Sequence, residues 1–243
     1  MKNFLTFIFI SLFYCNYGLT NELIKIPVIV HIVDIDEKIK INNYELDENG
    51  NIKTFKKLVE YKTIANKKII EDDFKKVNKI WKQASIYFNV IKIDHTKSNT
   101  KNFKKNSKLL LNYNYDNSKN LDNAAIYHVE ILDYKKNNND NGINIYYIPW
   151  FIHEYCGLWD QENSIIIIGT NEEKKYDPVV KLYWSCSRYE TLAHEFGHAL
   201  QIDHVEVPGN LMIPDNLILE SGTNLIDKQI KQSREFIKKV LGM

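Results

Sequence analysis

The sequence predicts an α+β domain whose N-terminal half is α/β-like. Three observations carry that expectation. Residues 24–93 run strand, helix, strand, which implies a parallel pair joined by a crossover helix. Two more apolar, β-rich runs follow, INIYYIPW at 143–150 and SIIIIG at 164–169. The last third holds two stretches with helical patterning, one near 188–200 and one at 222–242. With 243 residues, 44% of them hydrophobic, the chain can build one sizeable core.

Taken in order, the N-terminus MKNFLTFIFISLFYC has one lysine and then a short uncharged apolar run. That is the pattern of a secretory signal peptide, too short for a comfortable membrane span. It is expected to occupy residues 1–20, with cleavage after Gly18 or Thr20. A lipid anchor at Cys15 is the minor alternative, because the preceding Phe-Tyr is a poor context for it. Residues 21–243 are then one domain, since no internal repeat and no Pro-, Gly- or Ser-rich linker divides them. Two cysteines remain, Cys156 and Cys186. An even count in an exported chain suggests one disulfide between them.

IKIPVIVHIVD, residues 24–34, is β-branched and apolar and reads as a buried strand, with His31 a core or sheet-face histidine and not a ligand. Residues 35–70 are polar and read as a loop or a hairpin, with a turn signal at DENGN, 47–51. In residues 71–93, Phe74, Val77, Ile80, Trp81 and Ala84 recur at helical spacing. Glu71, Asp72 and Asp73 are expected in that helix's first turn, where its dipole favours acids. IYFNVIKI, residues 86–93, is the strand that follows. Residues 94–122 read as loop, apart from a short strand candidate at 109–113. Residues 134–142 are a polar loop whose spacing lacks the calcium-loop pattern, so calcium has no support. The tail carries Leu225, Ile226, Ile230, Phe236, Ile237 and Val240 on one helical face, which is expected to lie on the domain.

The formal net charge is +1, and only Arg188 and Arg234 stand among 32 basic residues. Arginine is the main reader of phosphates and base edges, so nucleic acid is not an expected partner.

The chemistry concentrates in SCSRYETLAHEFGHALQIDH, residues 185–204. Ser187 followed by Glu190 is a capping-box pattern, so a helix should start near Arg188. His194 and His198 then lie about 40° apart on the cylinder and about 6 Å along it, within reach of one ion. Glu195 stands beside them, where a general base for water would sit. His204 would lie about 9 Å beyond His198 on a straight helix, too far for a shared metal. It can join only if the helix ends near Leu200 or Gln201 and the chain turns back. Downstream, Pro208 to Pro214 form a turn that carries Met212.

These residues resemble the metzincin clan of zinc metallopeptidases, with the pattern HExxHxxGxxH and a methionine-bearing turn beneath the metal. His194, Glu195, His198, His204 and Met212 match, and Gln201 stands where the clan has glycine. The resemblance implies a metzincin-like zincin with a twisted mixed sheet, an active-site helix and a C-terminal helix. It implies one catalytic Zn2+ on the three histidines, with Glu195 activating water to cut peptide bonds. Substrates would be proteins or peptides, and the enzyme a secreted monomer with no stable membrane span. Ser164, Ile165, Ile166, Ile167 and Ile168 would be the sheet edge that pairs with an extended substrate. Residues 205–216 would line the pocket beyond the cut bond, with Val205, Val207, Ile213 and Pro214 making it apolar.

Gln201 has a definable consequence. A residue with a Cβ costs about 1–2 kcal/mol in the left-handed conformation that glycine favours. Zinc held by a site of this kind is worth about 10 kcal/mol or more, so the metal can outweigh the strain. A turn displaced onto Asp203 is the other solution. Two competing readings remain. One takes Glu220 as third ligand in place of His204. The other makes the chain a catalytically idle zinc-binding domain that binds a partner protein.

Overall fold

The computed structural model describes residues 22–34, 36–46, 52–97, 142–149, 156–161, 164–170, 175–177, 182–184, 187–214 and 222–241. The expected signal peptide, Cys15, the strand candidate at 109–113 and nearly all of loop 134–142 lie outside them, as do Cys186 and Glu220.

Strand β1, Ile24–Asp34, is the centre of the first half. It pairs in parallel with β4, Ile86–Lys97, on one side and with β5, Ile143–Ile148, on the other. A strand flanked on both sides should read as a near-continuous apolar run, as β1 does; Ile24, Ile26, Val28, Val30 and Ile32 face the core, and the other face is partly open at Lys25, Pro27 and His31. His31 on β1 stacks on Tyr146 at 4.5 Å and bonds Asn144 through Nε2 at 2.9 Å, a sheet-face role as expected. Beyond β5 come β7, Ile165–Gly169, in parallel, and β6, Gly157–Asp160, antiparallel to it. The sheet is therefore mixed, in the order β4-β1-β5-β7-β6.

That order corrects one expectation. The segment Ser164 to Ile168 is not the edge. Strand β7 lies between β5 and β6, and the four isoleucines Ile165 to Ile168 are buried. Apolar side chains on both faces suit an interior strand. Ser164 is outside the strand altogether, at φ +55°. Among the described residues the edge on this side of the sheet is β6, whose Leu158, Trp159 and Asp160 are half-buried, and β4 is the edge on the other side.

Of the two expectations for this region, the hairpin is the one that fits: strands β2, Asp36–Leu46, and β3, Ile52–Lys62, pair antiparallel through eleven positions, and the DENGN segment lies outside the described residues. A second small pair, β8 at Lys175–Asp177 and β9 at Leu182–Trp184, precedes the site.

Helix α1, Lys67–Trp81, is the crossover between β1 and β4. It begins one turn earlier than its apolar pattern suggests, because the Asn66 side chain accepts a hydrogen bond from the Ile69 N–H at 3.0 Å. The first turn therefore holds no acid, which corrects the expectation for Glu71, Asp72 and Asp73. Asp73 instead points inward and is buried. Ile70, Phe74, Val77 and Trp81 make the buried stripe of α1. Phe74 and Phe88 both meet Phe196, the latter in a stack with centroids 3.6 Å apart. These rings join α1 and the sheet to the helix that bears the metal motif.

Helices α2, Arg188–Ala199, and α3, Asp227–Leu241, complete the domain. Among the described residues no helix is long and apolar enough to cross a membrane. Leu225 and Ile237 are buried, and Ile230 and Phe236 lie partly buried against the core. Val240 is 64% exposed, so the apolar face of α3 is only partly covered. The helix does lie on the domain, as its pattern predicts.

Candidate metal centre

Helix α2 starts at Arg188 as the sequence suggests, but not by the expected cap. Ser187 makes no side-chain cap bond, and Glu190 accepts instead from the Tyr189 hydroxyl at 3.0 Å. Arg188 supplies a different anchor. Its guanidinium forms a bidentate pair with the buried Asp73, at 2.5 Å from Nε and 3.0 Å from the second nitrogen. The Tyr147 hydroxyl donates to the same carboxylate at 3.2 Å. Burial raises the Asp73 carboxyl above its ordinary range, with Arg188 acting against that rise. A buried pair of this kind is a poor source of net stability but strongly fixes relative position. It ties α1, β5 and the start of α2 together. Trp81 adds a second tie, donating from its indole to the Ala193 carbonyl at 3.2 Å.

The helix ends where Gln201 requires it to end. The Gln201 N–H bonds the His198 carbonyl and the Ile202 N–H bonds the Gly197 carbonyl, both at 2.9 Å. That pair of bonds is a Schellman motif. Gln201 takes the left-handed position at φ +63°, and Asp203 is not among the residues of positive φ. The turn is thus strained in place, not displaced. Gln201→Gly should raise stability by about 1 kcal/mol, because a Cβ at left-handed φ is removed. Denaturant midpoints with an unchanged m-value would measure the gain.

The reversal brings His204 back. The three Nε2 atoms of His194, His198 and His204 lie 3.1 Å from one another. A tetrahedral ion at a zinc–nitrogen distance of about 2.1 Å needs nitrogens about 3.4 Å apart, so the set fits such an ion with a small outward shift. Orientation agrees. His194 Nδ1 donates to the Leu211 carbonyl at 2.7 Å, and His198 Nδ1 donates to the Ile202 carbonyl at 3.1 Å. With the proton on Nδ1, each Nε2 presents a lone pair. Two acceptor lone pairs at this distance do not hydrogen-bond; they repel unless a cation lies between them. Among the described residues these three form the only group of His, Cys, Asp or Glu placed to hold a metal.

Met212 is fully buried, with its sulfur against Gly197 of α2. A Cβ at Gly197 would lie 2.2 Å from its Sδ, so the glycine in HEFGH is what lets the methionine approach the helix. The turn is held by the Asn210 side chain, which accepts from the Met212 N–H at 2.8 Å, and by the Val205 N–H on the Met212 carbonyl at 2.8 Å. The clustering of His194, His198 and His204 is the one the sequence spacing called for, and Met212 lies against Gly197 of the same helix. Glu195 is only 8% exposed and adjoins the edge strand: a Cβ at Gly157 would lie 3.0 Å from its Cγ. Of the pocket candidates, Ile213 is buried, Val205 and Pro214 are half-buried, and Val207 is exposed, while residues 215–216 lie outside the described segments. His95 is remote and pairs with Asp34 at 3.1 Å. His128 and His153 also fall outside.

Cys156 is disulfide-bonded. The partner expected for it, Cys186, lies outside the described residues.

Burial, followed by the neighbouring His194 and His204, lowers the His198 pKa from 6.5 to about 4. The unfolded chain therefore binds this proton at a higher pH than the folded chain. Stability of the metal-free protein should fall as pH drops from 6.5 towards 4. Thermal melts in a chelator across that range test it, and a flat profile would contradict it.

The mixed sheet, the motif helix, the returning third histidine and the methionine turn define a metzincin-like metallopeptidase domain. Residues 68–205, more than half of the chain, match the reprolysin-like metallopeptidases of family M12B, and the chain belongs to that family. No curated protein matches the chain individually.

Proposed function

We propose that this chain is a secreted, zinc-dependent endopeptidase. The observation that carries the reading is the three-histidine cluster, with two Nδ1 atoms committed to backbone carbonyls and a carboxylate on the next residue. His194, His198 and His204 would hold zinc and leave one position open. Bound there, zinc supplies a Lewis acid that polarises a carbonyl and acidifies water. Glu195 takes the proton of the attacking water and returns it to the leaving amine. Its near-complete burial under Gly157 holds it in one orientation and raises the strength of its interactions.

The substrate edge is reassigned to β6. An extended peptide added to this edge would bond through main chain and so tolerate many side chains. It would run close to the face of α2 that carries Glu195, because Gly157 adjoins that residue. The apolar N-terminal run and a disulfide at Cys156 both support an oxidising, extracytoplasmic location, with residues 1–20 as the signal peptide.

The test is cleavage of casein or a peptide library by wild type, with zinc content measured on the same sample. Zinc bound at unit stoichiometry with no cleavage by the folded chain would replace this reading with that of an idle zinc-binding domain.

A further inference from the structure

Helix α3 reaches the metal-bearing turns through two glutamines three residues apart. Gln229 is buried at a place where packing alone calls for an apolar side chain. Three hydrogen bonds hold its amide. Oε1 accepts from Asn210 Nδ2 at 2.9 Å and from the Ile226 N–H at 3.0 Å. Nε2 donates to Asn210 Oδ1 at 3.2 Å. The same Asn210 oxygen accepts from the Met212 N–H, one residue past the Leu211 carbonyl that orients His194. One polar path therefore runs from α3 to the first histidine.

Gln232 begins the second path. Its Nε2 donates to the carbonyl of Gln201, the strained left-handed residue between His198 and His204. A buried amide is unfavourable unless its bonds are all made, and a left-handed residue with a Cβ persists only where its surroundings hold it. Here α3 supplies a partner at both places, Gln229 to Asn210 and Gln232 to the Gln201 carbonyl.

We propose that Gln229 and Gln232 are positioning residues for the metal centre. Together they form a clamp by which α3 fixes the two turns that aim the histidines. The clamp takes over the role of a glycine at position 201: the turn is held from outside where the residue itself does not favour it. This inference rests on the zinc reading above.

The experiment uses the full mature chain and Zn2+ in competition with a calibrated chelator. Gln229→Met and Gln232→Met keep side-chain length and remove the amide. Each should weaken zinc binding about tenfold and speed zinc loss to the chelator, as changes in outer-shell partners do. Gln232 is half-exposed, so the melting midpoint of its metal-free variant should stay near that of wild type. In a Gln201→Gly background the effect of Gln232→Met should shrink to less than about twofold, because glycine takes the turn unaided. If wild type holds zinc and the folded variants hold it equally well, the clamp is overturned and the metal site stands. An undiminished Gln232→Met effect in the glycine background overturns the link to Gln201. A wild type that holds no zinc overturns the metal reading itself. Should Gln229→Met fail to fold, Gln232→Met and the glycine background decide the question.

Discussion

Glu195→Ala should lower kcat for peptide cleavage by about 10² to 10⁴, with zinc content and KM close to wild type. The expectation follows from position. Glu195 neighbours a metal ligand but lies outside the three-nitrogen cluster that forms the candidate site. Its removal therefore takes away proton transfer and leaves the metal. In free energy the loss is about 3–5 kcal/mol of transition-state stabilisation. Because the side chain is buried against Gly157 and Thr191 borders the same place, alanine should leave the helix backbone undisturbed. Circular dichroism and zinc analysis on the same sample separate a lost base from a lost fold. A variant that retains zinc and cleaves at the wild-type rate would remove Glu195 from the mechanism.

His204→Ala should abolish tight zinc binding. Binding by a full set of ligands is worth about 10–16 kcal/mol in zinc peptides, so one imidazole of three carries several kcal/mol, a loss of 10² to 10³ in affinity or more. His204 is exposed and enters no core cluster, so the apo fold should survive its removal. Competition with a chelator measures the affinity, and activity should fall in parallel. The variant also decides between ligand sets. If zinc affinity held in His204→Ala and collapsed in Glu220→Ala, the third ligand would be the acid, as in the competing reading with Glu220.

Much of the centre was legible because its signals are local. The four-residue spacing of His194 and His198 is a property of any helix, and a helix end is needed to bring His204 back. The cost of Gln201 was also legible, and its observed φ of +63° places the strain where the missing glycine predicts it. What escaped was non-local. Whether SIIIIG is an edge or an interior strand depends on its neighbours, and a four-residue partner, GLWD, carries too weak a pattern to announce itself. Asp73 looked like a first-turn acid because the Asn66 cap, one turn upstream, was missed; its partner Arg188 lies 115 residues away. Ser187 and Glu190 matched a capping box that does not form, since the start of α2 is anchored by Arg188 instead. The carbonyls of Leu211 and Ile202 that orient two imidazoles leave no trace in sequence, because every residue has one. The amide pair of Asn210 and Gln229 was hidden for a related reason. Buried polar pairs read as ordinary surface residues until the fold brings them together.

The central claim is that three imidazoles converge on one zinc ion. X-ray absorption at the zinc edge on the purified, folded chain tests it most directly. The expected result is one zinc per chain, bound by three imidazole nitrogens at about 2.0–2.1 Å with an oxygen in the remaining position. A shell with two imidazoles and a carboxylate, or a folded chain that takes up no zinc, would contradict it.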